Sequence, residues 1–249
     1  MLSILINLKK EGRNCMAKSL FIIGSDTDVG KTMITAGLSY VLNNNDYNVC
    51  SYKPVQSGGI YYNNMLTAGD ALFVKNMADL NEDIAKMNSY CLKEAVSPHR
   101  AAEKEQVVLA KDRIISDYQA LSGKYDYLLV EGAGGLIVPI IRDRYYIYNM
   151  IQDFEIPVVL VTRTGVGTIN HTCLTVSYLK QLGIPIKAIV FNGYEGHDYE
   201  DDNIDIIKEI SGIDTKFVFP KLSEEYKIKE LLQYEFEKAF PVQKVLELF

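Results

Sequence analysis

The sequence predicts an α/β domain with a central, mainly parallel sheet flanked by helices, and three observations predict it. Short apolar runs alternate with helix-period segments along the chain, which is the rhythm of βα units. The runs are continuously apolar and do not alternate, as expected for strands buried on both faces. Polar or glycine-bearing turns follow them, where an open parallel sheet places its ligands.

The elements follow in order. Residues 19–23 (Ser-Leu-Phe-Ile-Ile) form a strand, and 31–44, containing Thr-Met-Ile-Thr-Ala-Gly-Leu, form the helix after it. A strand over 48–53 leads to a helix over 69–79, and a helix over 105–122 precedes the strand 126–131, Asp-Tyr-Leu-Leu-Val-Glu. Strand 157–162 feeds helix 168–182, and strand 186–191 feeds helix 200–211. The acidic stretch 194–204 reads as a solvated loop running into that helix. Strand 216–219 precedes an amphipathic helix over 224–239. No repeat, low-complexity tract or Pro/Gly/Ser linker interrupts the series, so 16–249 reads as one domain. Residues 1–15 read as a disordered extension or a mis-assigned start. Lys-Glu-Gly-Arg needs purine-rich codons, which can spell a ribosome-binding sequence ahead of Met16.

Composition narrows the function. The 249 residues carry 26 Lys+Arg against 32 Asp+Glu, a net charge of −6, with 48% hydrophobic and 23% charged residues. This excludes a largely disordered chain and argues against a nucleic-acid partner, which leaves a basic footprint. A small phosphorylated ligand needs only a local cationic pocket. No apolar run approaches the roughly 20 residues that span a bilayer, so no membrane partner is expected. Cys15, Cys50, Cys91 and Cys173 are scattered, as are His99, His171 and His197. They read as free thiols in the cytoplasm, with no structural zinc.

The strongest motif is Gly24-Ser25-Asp26-Thr27-Asp28-Val29-Gly30-Lys31-Thr32, a G-x-x-x-x-G-K-[ST] loop between a strand and a helix. Its glycines let backbone N–H groups turn toward a polyphosphate, and the positive end of the helix adds attraction. Lys31 is expected to reach the β/γ-phosphates and the Thr32 hydroxyl to ligate Mg²⁺. The predicted fold is therefore a single-domain P-loop NTPase. The strand ending in Glu131 supplies a carboxylate for the metal, followed by the small run Gly132-Ala133-Gly134-Gly135. Mg²⁺ prefers oxygens and keeps several waters, so few protein ligands suffice. Lys53 follows the second strand in Lys53-Pro54-Val55-Gln56-Ser57-Gly58. A second ammonium there neutralises charge on a transferring phosphoryl group or a carboxylated substrate.

Taken with Ala68-Gly69-Asp70-Ala71, Ser97-Pro98-His99, Val130-Glu131-Gly132-Ala133-Gly134-Gly135 and Gly167-Thr168-Ile169-Asn170-His171, these motifs make the chain resemble the dethiobiotin synthetases over about residues 17–222. The order and spacing are the family's. The resemblance implies ATP-dependent carboxylation of 7,8-diaminononanoate by CO₂ (bicarbonate in solution) and closure to a cyclic urea, in a homodimer. A carbamate forms on one amine, attacks the γ-phosphate, and the anhydride is captured by the second amine. Such a reaction asks for positioning and charge neutralisation.

The same resemblance implies roles. Thr27 and Ser57 hydrogen-bond the carbamate or diamine end, and Lys53 matches the family's active-site lysine beside Lys31. Thr32, Asp70 and Glu131 hold Mg²⁺. Asp28, Val29, Gly30, Met33, Gly132, Ala133 and Gly134 join the nucleotide site. Asp28 stands where the family usually has Glu. Gly167, Thr168, Ile169 and Asn170 match the segment that binds the substrate carboxylate from the neighbouring subunit. Asn192 matches the family's base-reading Asn, while Phe191 and Gly193-Tyr194 depart from the more usual Ala-Asn-Asp there; Asn192 and Gly193 are both assigned to the nucleotide site. Pro220, Lys221 and Leu222 match a further nucleotide contact, with Lys221 where an aromatic often stands.

Two other readings compete. An ATP-dependent amide ligase acting on a corrinoid shares the phosphate-loop fold but usually carries an added glutaminase domain, for which 249 residues leave no room. A partitioning-type switch ATPase is expected to carry a basic amphipathic tail, whereas Lys227–Lys238 is mixed in charge. The Asn-Lys-x-Asp motif of a GTPase is absent.

Overall fold

The computed structural model describes residues 16–223 and 228–249. Its strands are β1 (Lys18–Gly24), β2 (Val49–Gln56), β3 (Ile60–Tyr62), β4 (Met65–Thr67), β5 (Asn88–Cys91), β6 (Tyr127–Gly135), β7 (Pro139–Ile141), β8 (Tyr145–Tyr146), β9 (Val158–Arg163), β10 (Ile186–Tyr194) and β11 (Lys216–Pro220). Seven of them make one sheet in the order β11-β10-β9-β1-β6-β2-β5, with every pairing parallel. β3–β4 and β7–β8 are small antiparallel hairpins. The helices are α1 (Lys31–Asn44), α2 (Gly69–Met77), α3 (Pro98–Glu105), α4 (Lys111–Ser122), α5 (Ile147–Phe154), α6 (Thr168–Gln181), α7 (Asp198–Ser211), α8 (Lys229–Ala239) and α9 (Val242–Leu246).

β1 lies mid-sheet and is buried from Ser19 to Gly24, as its unbroken apolar run requires. α1 packs beneath the loop it begins in, and its Gly37 lets the Phe236 and Phe240 rings come close; a Cβ there would collide with both. Phe219 of β11 stacks on those two rings, so α8 and its C-cap residue Phe240 seal the sheet beside α1.

Several boundaries differ from expectation, and the differences fall at the site. β2 does not end at 53 but runs through Lys53 to Gln56, pairing with β6 over Val49–Tyr52 and then with β5 over Lys53–Gln56. Pro54 is tolerated because β2 has left β6 there and faces a neighbour on one side only. β6 continues past Glu131 to Gly135, and β10 runs on to Tyr194, with Asn192 opposite Phe219 and Gly193 at a register shift. The helix predicted over 105–122 begins only at Lys111, because Glu105 ends α3 and Gln106, in the left-handed region (φ 56°), turns the chain into the non-helical stretch 107–110. The acidic stretch is mostly helical from Asp198, and Glu200 within it is buried, accepting from the Glu195 and His197 N–H groups. Residues 1–15 and 224–227 lie outside the described residues, so the expected extension and the start of the expected terminal helix lie there too. Cys50, Cys91 and Cys173 are free thiols.

Candidate active site

The loop between β1 and α1 bends where the sequence permits it. Gly30 has φ +94°, and any Cβ on it would collide with the Asn192 side chain. Asp28 also takes a positive φ of 56°, a conformation that Asp tolerates better than most residues. Two outside groups fix the loop. Asn192 Nδ2 donates to the Val29 carbonyl at 2.8 Å, and Arg163 Nη2 donates to the Thr27 and Asp28 carbonyls at 3.3 and 3.2 Å. Lys31 folds back over the loop, its Nζ donating to the Asp26 carbonyl at 3.4 Å.

Beside the loop lies a cavity of about 780 Å³ whose lining includes Thr27, Lys31, Thr32, Lys53, Asp70 and Glu131. The Lys53 ammonium is 2.7 Å from Glu131 Oε1 and 2.7 Å from Asp70 Oδ2, and also donates to the Gly132 carbonyl at 3.1 Å. Thr32 Oγ1 donates to Glu131 Oε1 at 2.8 Å. Burial pulls the Lys53 pKa down, but Glu131 and Asp70 outweigh it and leave the group above its ordinary value. Lys31 moves the other way. Burial, then the Lys53 charge, hold it below the usual lysine range against the pull of Glu131, Asp70 and Asp28. The two cations therefore share one electrostatic field.

The donor set suits a hard cation. Thr32, Asp70 and Glu131 offer a hydroxyl and two carboxylates, all oxygen, and phosphate oxygens with water complete such a shell for Mg²⁺. Among the described residues no cluster of three or more His, Cys, Asp or Glu forms an all-protein metal site.

The structure sorts the predicted residues into three places. Thr27, Asp28, Gly30, Lys31, Thr32, Lys53, Ser57, Asp70, Glu131, Ala133 and Gly134 all line the cavity. Ser57 Oγ is buried without a hydrogen-bond partner. Val29 is buried, so it can serve a nucleotide only through its backbone, and Met33 lies off the cavity in the first turn of α1. Asn192, Gly193, Pro220, Lys221 and Leu222 gather at the ends of β10 and β11. There the Lys221 N–H donates to the Tyr194 carbonyl and Lys221 Nζ pairs with Glu195 at 2.8 Å. Gly167 and Thr168 line a smaller cavity of about 110 Å³ on the far flank of the loop. Ile169 and Asn170 follow them in the first turn of α6.

Some lining residues had no role from the sequence: Val138, Ala95 and Val96 are in none of the motifs, and Ser97, Pro98 and Gln56 are in motifs that assign them nothing. Val138 and the segment Ala95–Pro98 form a largely apolar wall of the cavity, and Gln56 lines it as well. Ser97-Pro98 is a helix-start pair, with Pro at the first helical position, and that signal marks the wall. Arg163 gave no signal, because its loop contacts join residues 136 and 135 positions apart.

A family described as an AAA domain matches residues 18–224. The chain is 42% identical over 217 residues to the ATP-dependent dethiobiotin synthetase BioD of Fusobacterium nucleatum subsp. nucleatum, covering 87% of this chain and 98% of that protein. It is 37% identical over 242 residues to the same synthetase of Clostridium kluyveri, covering 93% and 98%. This chain belongs to the ATP-dependent dethiobiotin synthetase family. Solved structures add the fold of the synthetase chain. A ParA family ATPase from Chlorobium tepidum superposes with a TM-score of 0.55 at 15% identity, covering 92% of this chain and 94% of that one. The septum site-determining protein MinD from Pyrococcus horikoshii, complexed with Mg-ADP, gives 0.51 at 16%, covering 94% of each. The fold of this chain is thus shared with these two proteins, from which it differs widely in sequence.

Proposed function

We propose that the chain joins CO₂ to 7,8-diaminononanoate with ATP and closes the cyclic urea of dethiobiotin, releasing ADP and phosphate in biotin biosynthesis. The observation that carries this reading is the convergence of Lys31, Lys53 and the unpartnered Ser57 hydroxyl on one cavity beside the phosphate loop.

The chemistry requires two anions to meet. A substrate amine adds to CO₂ and loses a proton, giving a carbamate whose oxygen attacks the γ-phosphorus and expels ADP. The second amine then attacks the carbonyl carbon of the resulting anhydride and expels inorganic phosphate. The Lys31 and Lys53 ammonium groups offset the repulsion between carbamate and triphosphate. Thr27 and Ser57 orient the carbamate end, and the apolar wall of Val138 and Ala95–Pro98 receives the alkyl chain. Held together, the two amines and the activated carbon react as one molecule. Thr32, Asp70 and Glu131 would hold Mg²⁺, which neutralises triphosphate charge when bound. Asn192 spends one N–H on Val29, and its Oδ1 remains to accept from an exocyclic amine of the base.

The substrate carboxylate is assigned to Gly167–Asn170 of a neighbouring subunit. The start of α6 lies across the loop from the cavity of its own chain, and Val166 (99% exposed) and Leu174 (63% exposed) give it an apolar face suited to a homodimer. The Thr168 hydroxyl is already committed to the Arg163 carbonyl at 2.6 Å, so recognition there falls to the helix N-terminus and Asn170. No helix among the described residues is long and apolar enough to cross a membrane. The deciding assay supplies radiolabelled bicarbonate, Mg–ATP and diaminononanoate. Label in a cyclic urea supports the reading, and diamine-independent ATP hydrolysis without labelled product overturns it.

A further inference from the structure

Helix α2 starts without a cap of its own. Its N-cap residue is Ala68, which supplies no side-chain hydrogen bond, and the first N–H groups of a helix have no partner within it. The last residue of β2 fills the role from outside. Gln56 Oε1 accepts from the Asp70 N–H at 3.3 Å, and Gln56 Nε2 donates to the Ser57 carbonyl at 2.9 Å. Gln56 is 8% exposed, and a buried amide is favourable only when both ends are hydrogen-bonded. Its backbone is anchored as well, since the Leu92 N–H donates to the Gln56 carbonyl at 2.8 Å.

Both residues joined by this amide face the reaction cavity. Asp70 carries the carboxylate that grips Lys53, and Ser57 carries the buried, unpartnered hydroxyl. We infer that Gln56 is a positioning residue, whose side chain sets the start of α2, and so the Asp70 carboxylate, against the backbone that presents Ser57. The kinetic consequences rest on the synthetase reading above, whereas the structural link does not. The two ends of the amide are chemically separable. A glutamate at 56 still accepts from the Asp70 N–H but cannot donate to Ser57, and a methionine does neither at nearly the same length.

The test uses the full chain as wild type, Gln56→Met and Gln56→Glu. Amide hydrogen exchange over residues 68–74 is followed without ligands, and the Mg²⁺ half-saturation and diamine KM are measured in turnover. In Gln56→Met, exchange at Asp70 should quicken about fivefold, the loss of one hydrogen bond, while the rest of the sheet keeps its protection. Its Mg²⁺ half-saturation and diamine KM should both rise by a similar factor. Gln56→Glu should restore Asp70 protection and the Mg²⁺ constant but leave the diamine KM raised. Unchanged Asp70 exchange in Gln56→Met overturns the inference, and so does a loss of protection spread evenly over the chain. If wild type makes no dethiobiotin while Asp70 exchange responds as stated, the reaction reading fails and the positioning role stands.

Discussion

Thr32 Oγ1 lies 2.8 Å from Glu131 Oε1, although 99 positions separate the two residues in the chain. The contact exists because β1 and β6 are direct parallel neighbours, with Ile22 opposite Glu131. It brings the hydroxyl of the phosphate loop to the carboxylate that also grips Lys53.

Lys53 and Glu131 are both buried, with side chains 5% and 3% exposed. Lys53→Met should leave two carboxylates without their ammonium, and losing one partner of a buried pair costs about 3–5 kcal/mol. Chemical denaturation in EDTA should show that loss. Mg²⁺ should recover part of it, since the freed oxygens suit the ion. Turnover should fall far more than ATP affinity, and an equal fall in both contradicts the role given to Lys53.

The same pair gives a pH signature. The folded Lys53 pKa lies above its ordinary 10.5, so the stabilisation is complete below that value and fades as pH rises through the folded pKa. The stability difference between wild type and Lys53→Met should therefore be flat from pH 7 to about 10 and shrink at higher pH. A difference that grows with alkali rules out the assigned ammonium–carboxylate pairing.

Asn192→Asp removes the donor to the Val29 carbonyl and sets a carboxylate against it. ATP affinity should drop about tenfold, from the lost bond and an unmatched carbonyl, with the diamine KM unmoved. Calorimetric titration with a non-hydrolysable ATP analogue checks this, and unaltered affinity removes Asn192 from the nucleotide site.

Asn170→Ala should raise the diamine KM without touching ATP binding. If each site draws on two subunits, mixing Asn170→Ala with Lys53→Ala protein should return activity that neither variant has alone. Mixed dimers that stay inactive under conditions of subunit exchange count against an interface-built site.

The phosphate loop was legible because its chemistry is local. Gly24 to Thr32 sit in consecutive positions between a buried strand and a helix, and helix 31–44 was bounded to the residue. Elsewhere the apolar runs end before the site does. Lys53, Glu131 and Asn192 all fall inside strands that were expected to end near them, because pairing with β5, β1 and β11 extends those strands.

Residue order alone determined that this chain builds parallel βα units around a phosphate-binding loop, since burial periodicity and glycine placement act over a few neighbouring positions. Only the tertiary structure decided that Lys53 would bridge Asp70 and Glu131, that Gln56 would cap a helix from a neighbouring strand, and that Gly167–Asn170 would fall on the opposite flank. Those facts depend on the strand order β9-β1-β6-β2, which is set by how apolar faces pack across the sheet and leaves no periodic trace along the chain.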